Sequence, residues 1–112
     1  MNIPNYNKRL LTKLRCSSLK LEIEHGRHTG VERNLRLCRL CHDNLEDCYH
    51  FIMICPKLEN VRSTHIAYQT KPKNIYMFTK LMSSENDKDI YKLSLFIQDA
   101  WKYRQKTLDK LR

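Results

Sequence analysis

Residues 38–56 read "CRLCHDNLEDCYHFIMICP" and hold four of the chain's five cysteines and two of its five histidines. Six side chains there can act as soft ligands: Cys38, Cys41, His42, Cys48, His50 and Cys55. Two residues between Cys38 and Cys41 let a tight turn aim both sulfurs at one ion. Four residues between His50 and Cys55 match the window found in the second half of finger-type sites. His42 directly follows Cys41 and would strain a shared tetrahedron. Cys48 stands two residues before His50, and a helix puts those on opposite faces. The expected ligand set is therefore Cys38, Cys41, His50 and Cys55. Three thiolates and one imidazole fill a tetrahedron and leave no position for water, which marks a structural site. Thiolate-rich tetrahedra select zinc or iron–sulfur clusters, and the histidine favours zinc, so one structural Zn2+ is the expected cofactor. A single Cys-x2-Cys pair would fit ordinary buried thiols equally well. Two matched pairs in a chain with an odd cysteine count favour metal ligands over disulfides.

Outward from this stretch the pattern is helical. The expected fold class is mainly α: one small zinc-stabilised helical domain over residues 1–112, with a knuckle hairpin stapled to a helix. Its zinc-binding segment is 36–62, flanked by an N-terminal helical segment, 6–26, and a C-terminal helix, 87–112. Leu10, Leu11 and Leu14 suit one helical face. Ser17-Ser18 can cap a second short helix, so one long helix and two with a bend are both open. "HGRHTG", residues 25–30, is expected to be a turn or loop. Cys16 is expected to be a small buried hydrophobe. Val31, Leu35 and Leu37 are expected to cover the ligand site. Glu46 and Asp47 favour a helix N-terminus before "CYHFIMIC", and Pro56 interrupts or restarts that helix. Ile75, Phe78, Leu81 and Met82 form a short apolar stripe. "SSEND", residues 83–87, caps the last helix, whose stripe is Ile90, Leu93, Ile97, Trp101, Leu108 and Leu111. Trp101 and Tyr103 are expected in a core or interface.

The composition narrows what such a domain does. Only 2 glycines and 3 prolines in 112 residues disfavour an all-β fold, which needs frequent turns. The formal charge is +9. It is uneven: residues 1–40 are basic, 41–60 acidic and 61–112 basic again. A basic body around an acidic island suggests a polyanion partner, most often nucleic acid, and fits a generic soluble basic domain about equally well, because charge spread over separate helices need not form a patch. The N-terminus shows no secretory signal, and the longest apolar run, "FIMIC", is five residues and cannot span a bilayer. An intracellular setting, nuclear or cytoplasmic, without membrane association, is expected.

"RLCRLCHDNLEDCYHFIMICPKLENVR" resembles the zinc-binding segment that follows the polymerase domain of non-LTR (LINE-like) retrotransposon reverse transcriptases. In that family a Cys-x2-Cys pair precedes an acidic stretch, then a His-hydrophobic run ends in Cys-Pro, with an Arg a few residues on. Here these are Cys38 and Cys41, Glu46-Asp47, His50-Phe51, Cys55-Pro56 and Arg62. "LTKLRCSSLKLEIEHGR" upstream and "FTKLMSSEND" through "AWKYR" downstream extend the likeness over roughly residues 8–105. The chain departs from the family in having no polymerase aspartate pair and no room for an endonuclease. The resemblance thus implies a tail segment, either a remnant, a fragment or a piece taken up for host use.

No local signature supports a Cys–His nucleophile, and no glycine-rich phosphate loop occurs. A catalytic zinc would need an open position, and a RING-type ligase two zinc sites. The chain is therefore expected not to be an enzyme. Two functions remain. One is a zinc-stabilised nucleic-acid-binding segment that, as the resemblance implies, helps a reverse transcriptase engage template RNA or target DNA. Lys8, Arg9, Lys13 and Arg15 on the first helix and Arg27, Arg33, Arg36 and Arg39 near the knuckle would then contact phosphates. The other is a zinc-stapled interaction module whose helix 87–112 docks on a polymerase domain or a host partner.

Overall fold

The computed structural model describes residues 5–15, 21–22, 25 and 29–110. They are mainly α-helical, as expected. Four α-helices have both ends among them, α1 (Asn5–Arg15), α2 (Glu59–His65), α3 (Ile75–Met82) and α4 (Asp87–Lys110), and Glu22, His25 and Thr29 are helical as well. Short 3-10 turns at Arg33–Leu35 and Pro56–Leu58 and a π-helical turn at His50–Ile54 connect them. The described residues contain no strand beyond one antiparallel bridge, Leu37 to Leu45.

Helix α4 is the spine, and α1 and α2 both pack on it. Asn86 starts it by accepting hydrogen bonds from the backbone N–H of Lys88 (2.9 Å) and Asp89 (3.2 Å), the capping expected of "SSEND". Its buried face is Leu93, Ile97, Ala100 and Arg104, at spacings of four, three and four, with Phe96 alongside. Each fully buried apolar side chain there contributes about 1.5–3 kcal/mol relative to exposure. The stripe read from sequence differs at its end. Leu108 is half-buried, Leu111 lies outside the described residues, and the buried face closes on a charged residue, Arg104.

Phe51 joins the ligand segment to this spine. Its ring lies 5.8 Å from Phe96 and 6.4 Å, edge-on, from Trp101. Leu11 of α1, Leu21, Leu40, Leu58 and Ile66 complete the same core, which includes Cys38 and Cys55. The last turn of α2 is tied to α4 by His65 and Asp99, 2.6 Å apart. Asn74 caps α3 by accepting from the Met77 N–H at 2.9 Å.

Three expectations change. Val31, Leu35 and Leu37 do not cover the site; they are 38%, 62% and 38% exposed, and Leu21, Leu40 and Phe51 supply buried apolar surface instead. Ile75 is 65% exposed, so the α3 stripe reduces to Phe78, Leu81 and Met82. Within 25–30, His25 and Thr29 are helical and the turn falls on Gly30, at φ 76°. Cys16, Ser17 and Ser18 lie outside the described residues.

Candidate metal centre

The first half of the site is a tight turn. Cys38 donates its backbone N–H to Asn44 O (2.8 Å), and Glu46 donates to Arg36 O (3.1 Å), closing a minimal hairpin around the bridge. Within it, the His42 N–H reaches back to Cys38 O at 2.8 Å. His42 completes the turn in the left-handed region, at φ 63°, and its side chain is exposed. His42 is not among the residues whose donor atoms come together; its backbone turns the chain and its side chain is exposed.

The second half depends on an unusual helical turn. Asp47 starts it, accepting from the His50 N–H through Oδ1 at 2.8 Å. The chain then widens, and the Cys55 N–H bonds His50 O at 2.8 Å, an i to i+5 pairing. In an α-helix, residues five apart are separated by roughly 140° around the axis, at 3.6 residues per turn. The π-turn brings them to one side. The Cys55–Pro56 step ends it, because proline has no N–H to continue the ladder.

Together these turns gather four donors. The ligand atoms of Cys38, Cys41, His50 and Cys55 all lie within 4.8 Å of one another. Cys38 and Cys55 sulfurs are 3.9 Å apart, and Cys41 Sγ is 3.3 Å from His50 Nε2. A regular tetrahedron with metal–sulfur bonds of ~2.3 Å and a metal–nitrogen bond of ~2.05 Å has edges of ~3.8 and ~3.6 Å. The group therefore has the size to hold one metal ion, and its three cysteines are free, not joined as disulfides. Cys48 is half-buried outside the group.

The charge state fits. Cys38 is pushed up to about 12 by its hydrogen bond to Cys55 and by burial; that same bond lowers Cys55. One proton is thus held between two buried sulfurs, and a cation would replace it. With His50 Nε2 turned toward the sulfurs, its Nδ1 is buried without a hydrogen-bond partner. Such an atom costs about 1–3 kcal/mol. A structural metal, at ~10–16 kcal/mol of apparent binding, readily offsets that.

A second ring of groups was not legible as such in the sequence. Arg62 is fully buried and aims its guanidinium at the end of the π-turn. Nε donates to Ile52 O (2.6 Å), Nη1 to Cys55 O (3.1 Å) and Nη2 to Phe51 O (3.4 Å). These carbonyls terminate a helical turn, where cations are favoured. Burial lowers the Arg62 pKa, and Glu59 beside it partly restores it. Glu46 is equally buried. It receives a bidentate pair from Arg104 of α4, at 2.9 and 2.7 Å, and the Glu22 N–H at 2.7 Å. Its Oε2 is 3.7 Å from Cys38 Sγ. Arg104 also stacks 5.1 Å from the Trp101 ring centre. Of the two acids expected to open the helix, only Asp47 does so; Glu46 instead anchors α4 to the ligand hairpin.

Lys8, Arg9 and Lys13 are exposed on α1, and Arg33 and Arg39 near the knuckle. Arg36 is half-buried and donates Nε to Val31 O at 2.9 Å, so it also braces its own loop. Arg39 lies 3.9 Å from Glu22. Arg27 and the side chain of Arg15 lie outside the described residues. No described helix is long and apolar enough to cross a membrane.

Comparisons with family models, curated proteins and solved structures return no match to this chain. What the fold and site define is a small helical protein with a Cys3His group able to hold a metal ion.

Proposed function

We propose that this chain is a zinc-stabilised nucleic-acid-binding module, of the kind found in the tail of retroelement reverse transcriptases. It would help a polymerase engage template RNA or target DNA and perform no chemistry itself. The convergence of Cys38, Cys41, His50 and Cys55 within 4.8 Å carries this proposal. Zinc is the ion that three thiolates and an imidazole suit best, and four protein donors make its role structural. The formal charge of +9 supports a polyanion as partner. Replacing three thiol protons by one Zn2+ lowers that charge by only about one.

The alternative, an interaction module that docks through residues 87–112, is weakened by the packing of α4. Its apolar face, Leu93, Phe96, Ile97 and Ala100, is covered by the protein's own core.

The purified, reduced protein should contain one zinc per chain by elemental analysis, and Cys38→Ser or His50→Ala should lose both the metal and cooperative unfolding. Binding to RNA and DNA oligonucleotides should weaken linearly in log–log plots as salt rises. A zinc-free protein that stays folded in strong chelator would overturn the metal assignment. A flat or undetectable salt response would overturn the nucleic-acid assignment.

A further inference from the structure

Three thiols meet at the ligand group, and they differ in their access to solvent. Cys38, His50 and Cys55 are 1%, 3% and 0% exposed, whereas Cys41 is only half-buried. The donor atoms of all four lie within 4.8 Å of one another, so a reaction at the Cys41 sulfur has other sulfurs at hand. Susceptibility of a thiol to oxidation follows its thiolate character and its exposure. A metal-binding sulfur is a thiolate, and Cys41 is the one that a small, uncharged oxidant reaches.

The backbone selects its partner. Cys38 and Cys41 share the tight turn that the His42 N–H closes on Cys38 O at 2.8 Å. In such an i to i+4 turn, as in a helix, residues three apart are neighbours. A bond between the two sulfurs therefore closes within the turn. A bond from Cys41 to Cys55 would instead pull on the π-turn, whose end is held by Arg62 Nη1 at Cys55 O (3.1 Å).

We propose that Cys41 is a site of oxidation by hydrogen peroxide, and that it closes a disulfide with Cys38 that excludes the metal. The inference rests on the metal centre proposed above and gives it an oxidised, metal-free state. The Cys41 thiolate attacks one peroxide oxygen, the O–O bond breaks and hydroxide leaves, giving a sulfenic acid. The Cys38 thiolate then attacks that sulfur, the S–O bond breaks and a second hydroxide leaves. Two thiolates give up two electrons, and the peroxide takes them up. The chain keeps His50 and Cys55 as donors, too few for a structural tetrahedron. Because metal binding in small domains is folding energy, oxidation loosens the whole ligand segment.

The test uses the full chain, loaded with zinc and freed of reductant, and hydrogen peroxide added in measured amounts. A chromophoric chelator reads zinc release, and peptide mapping under non-reducing conditions reads the sulfur linkage. One zinc should leave per peroxide consumed, and the map should show Cys38 joined to Cys41, with Cys55 as a thiol. Reductant and fresh zinc should restore the loaded protein. Cys48→Ser should release zinc at the wild-type rate, since Cys48 lies outside the group. Cys41→His keeps four donors, as a Cys2His2 set, and should hold its zinc at the dose that empties wild type. Should Cys41→His bind no zinc, the wild-type map still decides. Zinc retained by wild type while Cys48 is oxidised, or a map that joins other sulfurs, would overturn the proposal and leave the metal centre standing. If the reduced protein carries no zinc, the metal reading falls by itself, and the same map on the zinc-free chain decides the oxidation site.

Discussion

Replacing Arg62 by methionine tests whether the second ring of groups holds the metal site in shape. Methionine keeps the stem and much of the volume, so lost packing is small. It removes three buried hydrogen bonds, to Ile52 O, Cys55 O and Phe51 O, and the partly buried one to Glu59. A hydrogen bond to a charged group is worth about 1.5–3 kcal/mol, and three from one guanidinium add less than in full. Removing the buried charge also relieves its desolvation, which returns part of the loss. The net cost should be about 3–5 kcal/mol, a large share of the ~5–15 kcal/mol that holds a small domain together. Because those carbonyls flank the turn that aligns His50 with Cys55, metal affinity should also fall, by roughly 10- to 100-fold. Arg62→Lys should be intermediate in both, since one ammonium cannot reach three carbonyls in a fork. Urea unfolding of the zinc-loaded proteins, followed by circular dichroism, reads the first effect; competition with a chromophoric chelator reads the second. A midpoint shift worth under ~1 kcal/mol at unchanged slope, with unchanged affinity, would refute the assigned role of Arg62.

Four further outcomes follow from the same geometry. Arg104→Leu leaves Glu46 buried, unpaired and near Cys38, and should cost about 3–5 kcal/mol; adding Glu46→Gln, which keeps an acceptor for the Glu22 N–H, should recover part of it, and a double variant no more stable than the single would break the pairing argument. His42→Gly relieves a side chain from φ 63° and should stabilise the protein by about 0.5–1 kcal/mol in thermal unfolding, whereas a loss of stability would mean that the imidazole itself matters. Zinc affinity should fall about tenfold per pH unit for each proton displaced between pH 8 and 6, because Cys38 is pushed up to about 12 and keeps its proton throughout that range; chelator competition across pH checks this, and a level profile contradicts it. Glu59 is held below its usual 4.5, first by Lys73 and then by Arg62, so its contribution is present above that pH and is lost as pH falls through the lowered value. Glu59→Gln should therefore show a shallower acid loss of stability, and identical acid profiles would rule this out.

The ligand set was legible because it is nearly local. Cys38, Cys41, His50 and Cys55 span 18 residues, and a Cys-x2-Cys turn has few ways to point its sulfurs. Exclusion of His42 was also legible, although its reason was not: the sequence shows a neighbour of Cys41, while the structure shows a left-handed turn residue. The widened turn at His50–Ile54 left no local signal. "HFIMI" has the composition of any buried helix, and only the i to i+5 bond distinguishes it. Arg62 was visible as a member of a motif, without a task, and Glu46 was assigned the wrong one, because exposed arginines and acids look the same in sequence as buried ones. The missed residue is Arg104. One signal existed, its place at the end of the Leu93–Ile97–Ala100 stripe, where a charged side chain at a core position calls for a partner.

By itself, then, the sequence determined the helical class, the last helix with its cap, and the four side chains that come together as a group able to hold a metal ion. All of these depend on spacing along the chain, where periodicity and short loops leave little freedom. Only the tertiary structure decided that α4 closes over the ligand hairpin through Arg104 and Glu46, 58 residues apart, and that Arg62 seals the π-turn. Such pairs form because helices, once packed, bury particular charges together. Burial makes each partner obligatory, and no pattern along the chain records which charges those will be.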